Sequence, residues 1–229
     1  MKIKQIVAVS ALLALGLPLG AQAQMGMGPR MPNMSGIWHP VVGTGAAYEM
    51  TGRDGMKTQM EITIVGKEDV NGKEGYWMEM AMASPRAGGD MYVKNLLAPT
   101  DNGMASMRMI MQAPGQDPME MDTNMNMGGR RMQQSTPSDI REKAELVGTE
   151  SVTVPAGTFS CQHYKMKDGS SEAWISDKVA PWGLVKSQGK DSSMVLTKVI
   201  TDAKDHITGT PKKFDPMQMM RDRMGQQGQ

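Results

Sequence analysis

A single cysteine, Cys161, stands in 229 residues, so the chain can close no internal disulfide and its stability has to come from packing. A lone thiol of this kind is expected to be a small buried apolar residue. Aromatic residues make up only 4% of the chain, so rigid rings cannot fill a core by themselves. The four Trp (38, 77, 174 and 182) fall in different segments and read as core packing rather than as one binding platform. Neither charge predominates: 25 Lys and Arg against 24 Asp and Glu give a formal +1, too weak a field to gather nucleic acid or anionic lipid. Histidine is scarce, with only His39, His163 and His206. The HExxH, GxSxG, P-loop and dinucleotide fingerprints are missing, so the sequence gives no reason to expect an enzyme, a cofactor or a His/carboxylate metal site. His163 and Asp168 read as a surface pair rather than a catalytic dyad.

Long hydrophobic runs are missing too. The longest, Ile6 to Leu19, follows Lys2 and Lys4 and holds Gly16 and Pro18. It is shorter than the roughly 18–20 apolar residues a membrane span needs. The small-residue site Ala21-Gln22-Ala23 follows, so residues 1–23 are expected to be a cleaved secretory signal, with the mature chain starting at Gln24. Its removal leaves 23 basic and 24 acidic residues, a formal −1. No Cys stands at the cleavage point to carry acyl chains, so a periplasmic or secreted location without a stable membrane anchor is the expectation.

What the chain does have is methionine, 27 residues of it. Residues 24–35 are rich in Met, Gly and Pro without period and read as a disordered arm. A single β-rich domain is expected over 36–210, with 115–137 as a long flexible loop and 211–229 as a tail with a short helix. Alternation of period 2 marks strands at Ala46–Arg53, Met56–Gly66, Tyr76–Ser84 and Met104–Gln112, with Asp54-Gly55 and Asn71-Gly72 as hairpin turns. A second group follows at Val147–Val154, Thr158–Lys167, Ser171–Ser176, Trp182–Gln188 and Ser193–Asp202. One short helix is expected at Ser138–Leu146, and another in the tail, where Met217, Met220 and Met224 share a stripe.

Alternation also assigns faces. Met60, Ile62 and Ile64 fall together in one run, Met78 and Met80 in the next, and Met107, Met109 and Met111 in the fourth. If these eight residues share one face, they form an apolar surface suited to a lipid or other apolar small molecule. An unbranched thioether repacks around ligands of different shape. Trp77 and Glu79 then fall on the opposite face, where Glu79→Gln is expected to be silent. The MxM clusters Met25/Met27, Met78/Met80/Met82, Met107/Met109/Met111, Met119/Met121 and Met125/Met127, foremost those in the loop Met119 to Met132, offer soft donors for copper or silver as an alternative. A filled core, making the protein a structural or interaction module, is a further one.

The segment from Val154 to Lys186 carries VPAGTFSCQHYK, AWIS and VAPWGLVK. These stretches resemble exported bacterial proteins related to the lipoprotein-carrier (LolA-like, LppX-like) superfamily. The resemblance covers about a third of the mature chain and reaches more loosely over the YWMEM and RMIMQAPGQ runs. It implies a curved antiparallel sheet of about eight to eleven strands forming an open half-barrel, with one to three helices on the concave face. The missing lipobox matches the soluble carrier rather than the anchored relatives.

Overall fold

The computed structural model describes residues 38–84, 88–100, 103–121, 126–127, 130–131 and 143–214. Two meanders share one sheet. The first is β1 (Gly45–Thr51), β2 (Lys57–Val70), β3 (Lys73–Ser84), β4 (Gly89–Thr100), β5 (Gly103–Gln112) and β6 (Met119–Met121). A small separate hairpin, β7 (Asn126–Met127) and β8 (Arg130–Arg131), follows. The second meander is β9 (Ala144–Val154), β10 (Gly157–Met166), β11 (Ser171–Ile175), β12 (Leu184–Gly189) and β13 (Ser193–Ile200), and β14 (Lys212–Lys213) closes the order. Pairing of β1 with β13 joins the meanders into a twelve-stranded sheet, β14-β6-β5-β4-β3-β2-β1-β13-β12-β11-β10-β9, whose two ends do not pair with each other. The fold is therefore mainly β, an open antiparallel sheet with one parallel contact, β14 on β6.

Local chemistry explains the hairpins. Asn71 (φ 54°) and Gly72 (φ 77°) both take the left-handed conformation that a two-residue hairpin turn demands, which Asn-Gly supplies at low cost. Register shifts at Ala47/Tyr48, Ile64/Gly66, Leu96/Leu97, His163/Tyr164 and Trp174/Ile175 interrupt the ladders. Each adds local twist, and together they bend the sheet. The bending lets distant strands meet: Tyr48 of β1 donates its hydroxyl to the Leu184 carbonyl of β12 at 3.0 Å, and β9 touches β12 and β13. Tyr48, Ile62, Ile64, Leu184, Val185 and Leu196 form the centre of the core, none more than 1% exposed.

Several elements differ from the sequence expectations. No helix lies against either face of the sheet among the described residues. The helix expected at Ser138–Leu146 gives way to strand β9 from Ala144 onward, its earlier residues lying outside the described ones. The tail helix, the arm 24–35 and the signal 1–23 lie outside them as well. β4 interrupts no polar stretch that alternation would flag, because Lys94 and Asn95 are both buried at its centre. Within the expected loop 115–137, Met119–Met121 pairs with β5, and β7 and β8 form their hairpin. The sheet also extends past residue 210 to Lys212–Lys213. Cys161 is a free, fully buried thiol, as anticipated, and burial pushes its pKa up.

Candidate functional site

Strand register sets the methionines abreast. One row across the sheet reads Tyr48, Met60, Met82, Met91. The next reads Ala46, Ile62, Met80, Val93, Met111, Met119, and the third Ile64, Met78, Asn95, Met109, Met121. Directly opposed side chains in antiparallel strands lie about 4.5–5.5 Å apart at Cβ, so these rows form one continuous surface. Burial varies along the rows, and Val93, Asn95 and Met121 are buried. On β2 and β3, Met60, Ile62, Ile64 and Met78 are buried. Met80, Met82, Met91, Met109, Met111 and Met119 are half-buried. Of the eight residues expected to act together, Met107 stands apart. The shift at Leu96/Leu97 pairs Arg108 and Ser106 with β4 and leaves Met107 without a register partner, 36% exposed. Asn95 is the polar interruption of the face, buried and within 3.3 Å of Ser106 Oγ.

At one end of this face the rings gather. Tyr76 alternates with Met78 and Met80 along β3, and Trp38 meets it edge-on with centroids 6.4 Å apart. Trp182 lies 4.5 Å from Trp38. Sequence separation had set these tryptophans apart, but the chain entering β1 and the β11–β12 turn meet here, and His39 N–H donates to the Pro181 carbonyl at 3.0 Å. The turn is tightly built. Ser176 N–H donates to Gly183 O at 2.7 Å, and Gly183 N–H to Val179 O at 2.6 Å. Gly183 has φ 70°, and a Cβ there would fall 2.8 Å from Ser176 O and from Ile175 Cγ2, so only glycine fits. Val179, Ala180 and Pro181 are buried, while Trp182 Nε1 and Ser176 Oγ are buried with no hydrogen-bond partner among the described residues.

The opposite, outer face of the first meander, which alternation turned to water, is covered in part: Thr63, Glu79 and Lys94 are buried, while Gln59, Ala83 and Asp90 are exposed. After β13 the chain crosses it as a strap, residues 201–211, from Gly43, which accepts from Ala203 N–H at 2.9 Å, to the β14·β6 contact. Beneath the strap, Glu79 is 1% exposed. His206 Nδ1 lies 2.6 Å from Glu79 Oε1, and the His206 and Ile207 backbone N–H groups donate to Oε2 at 3.2 and 3.4 Å. Burial pushes the Glu79 carboxyl above its ordinary range, and the bonds from His206 only partly offset this. His206 stacks on Tyr92 at 4.9 Å, and Lys94 bonds Asp205 at 2.5 Å while lying over Trp77. Beside His206 opens a polar cleft of about 290 Å³ lined by Gln59, Glu61, Ala81, Ala83, Asp90 and Tyr92.

His163 pairs not with Asp168 but with Glu172 at 2.9 Å and Glu150 at 3.2 Å, and it stacks on Trp174 at 4.4 Å. Asp168 instead accepts from Ser170 N–H within its own turn at 2.9 Å. No group of three or more His, Cys, Asp or Glu placed to hold a metal ion occurs among the described residues. Of the methionines offered for copper, Met119 and Met121 are drawn into β6 and Met127 into β7, whereas Met125 and Met132 lie outside the described residues. No described helix is long and apolar enough to cross a membrane.

No family model matches the chain, and no curated protein does. Among solved structures, it is similar to a candidate lipoprotein from Parabacteroides distasonis at 15% identity and a TM-score of 0.36, covering 71% of this chain and 97% of that one. It is also similar to a candidate exported protein with a YmcC-like fold from Bacteroides fragilis at 16% identity and a TM-score of 0.33, covering 71% and 98%.

Proposed function

We propose that this chain is an exported, non-catalytic protein whose methionine-lined sheet face takes up an acyl chain or a similar apolar ligand. The observation that carries the reading is the register: β2 to β6 set three rows of thioether and aliphatic side chains abreast on one face. Six of those methionines are only half-buried. Unbranched, polarizable side chains conform to a ligand where branched ones would dictate its shape. The apolar stretch and small-residue site at residues 1–23 support export.

Delipidated protein exposed to a total lipid extract and examined by native mass spectrometry tests it, with uptake of lipid the expected outcome. Met80→Asp puts a carboxylate in the middle row and should abolish uptake, at a cost of about 2–3 kcal/mol in stability. Lys165→Gln, exposed on the other face, should leave uptake at the wild-type level. Wild-type uptake by Met80→Asp would end the reading. A copper- or silver-handling role draws on the row Met60, Met82, Met91, three soft donors abreast. Cu(I) titration separates the two: Met82→Leu keeps an apolar surface but removes a donor, so loss of tight Cu(I) binding in that variant, with no lipid uptake by wild type, would favour the metal.

A further inference from the structure

The methionine face ends at the Trp38–Trp182–Tyr76 cluster, and there the chemistry changes from apolar to hydrogen-bonding. Trp182 Nε1–H and the Ser176 hydroxyl are buried without a partner among the described residues. They belong to one turn, and its closing bond from Ser176 N–H to Gly183 O sets Ser176 beside the residue that follows Trp182. Buried donors are nearly always satisfied, so two in one turn ask for an acceptor. An indole N–H can only donate, which fixes the polarity of what it would meet. The acceptor should be uncharged. An anion at two buried neutral donors would go unpaired there, because the turn's own cation, Lys178, lies exposed. Trp38, half-buried with its ring centroid 4.5 Å from that of Trp182, stands against the indole that carries one of the two donors.

Resting on the reading of the methionine face as an acyl-chain surface, we propose that the turn from Ser176 to Gly183 is its headgroup end. In that role Trp182 Nε1–H and Ser176 O–H donate to the carbonyl of a neutral ester while the hydrocarbon runs over Met78 and the rows beyond it.

The test uses the full chain and three competitors, methyl palmitate, palmitate at pH 8 and hexadecane, against a bound dodecylpyrene probe. Methyl palmitate should compete about five- to tenfold better than hexadecane, the gain of one or two hydrogen bonds. Palmitate should do no better than hexadecane. Trp182→Phe keeps the ring and Ser176→Ala removes one atom; each should bring the ester-to-hydrocarbon ratio toward one, with far-UV circular dichroism confirming the sheet. Failure of the probe to bind at all overturns the methionine-face reading and this inference with it. If the probe binds but the three competitors are equivalent, palmitate is preferred, or both variants keep the ester preference, the face stands and the headgroup assignment is overturned.

Discussion

His206 with Glu79, and His163 with Glu172 and Glu150, are the same chemical pairing on the same outer face of one sheet, yet their surroundings differ. Register carries the outer row from Glu79 through Thr63 to β1, and from Glu49 through Val195, Lys186 and Trp174 to His163. In the first meander the strap covers the face, so Glu79 is buried and its carboxyl is pushed up. In the second, the described residues include no such cover. Glu172 is half-buried, a third of its side chain exposed, and the bond from His163, with Lys165 beside it, holds its carboxyl below the ordinary range. The pairing does not decide the direction of the shift; the cover does, because desolvation penalises the charged carboxylate and a solvated cationic neighbour favours it.

The sharpest way to break this comparison is to remove each carboxylate. Glu79→Ala takes the acceptor from the His206 backbone N–H and imidazole in a buried place, while Ile207 N–H keeps Asp205 at 3.0 Å, and should cost about 2–3 kcal/mol. Urea unfolding reads the loss, and faster hydrogen exchange at the His206 amide would show that the strap has come free. Glu172→Ala should move the urea midpoint much less, because Glu172 is a third exposed and His163 keeps Glu150 at 3.2 Å. Equal effects would mean that the strap does not set the two meanders apart.

Alternation was enough to place Met60, Ile62, Ile64, Met78, Met80, Met109 and Met111 on one face, because a period of two is a property of each strand alone. It failed at Met107, where a ladder irregularity depends on the partner strand. It also missed β4, whose buried Lys94 and Asn95 find their partners elsewhere: Lys94 bonds Asp205, 111 residues away, and Asn95 lies against Ser106 of the next strand. Glu79 looked like a water-facing residue for the same reason, its partner His206 being 127 positions on. The helix expected at Ser138–Leu146 overlaps β9 because Ala144 onward follows the ladder offered by β10. Trp38 and Trp182 could not be joined without the topology that makes β1 and β13 neighbours.

The pH dependence of stability sharpens the comparison with a smaller effect. A carboxyl raised in the fold binds its proton more tightly folded than unfolded, so the contribution of Glu79 is full below the ordinary glutamate range and is lost as pH rises through its raised value. For Glu172 the sign reverses: its contribution is present above the ordinary range and is lost as pH falls through its lowered value. Other carboxyls, such as Glu120 held down by Arg108, contribute to the total but cancel between variants. Between pH 4 and 7, therefore, wild type should lose stability relative to Glu79→Gln, by about 1 kcal/mol for each unit the carboxyl is raised. Against Glu172→Gln, wild type should gain over the same interval. Parallel urea titrations of the three proteins check this, and a Glu79→Gln difference that is flat with pH would show that the strap does not desolvate the carboxyl.

The smallest effect concerns the rings. Lys186 lies 4.7 Å over Trp174 in the second meander, and Lys94 and Arg108 each lie 5.2 Å from Trp77 in the first. A cation over a solvated ring is worth about 0.5–1 kcal/mol, so Lys186→Gln should cost no more than that. Lys186→Arg should recover it, since a guanidinium stacks flat on an indole. The cost should also shrink as salt is added, because little shields the ammonium from solution ions. Urea midpoints at low and high ionic strength, with Trp174→Phe as the ring control, measure all three. If Lys186→Gln were as damaging as Glu79→Ala, something would have to cover the outer face of the second meander as the strap covers the first, and the two regions would differ in sequence but not in physics.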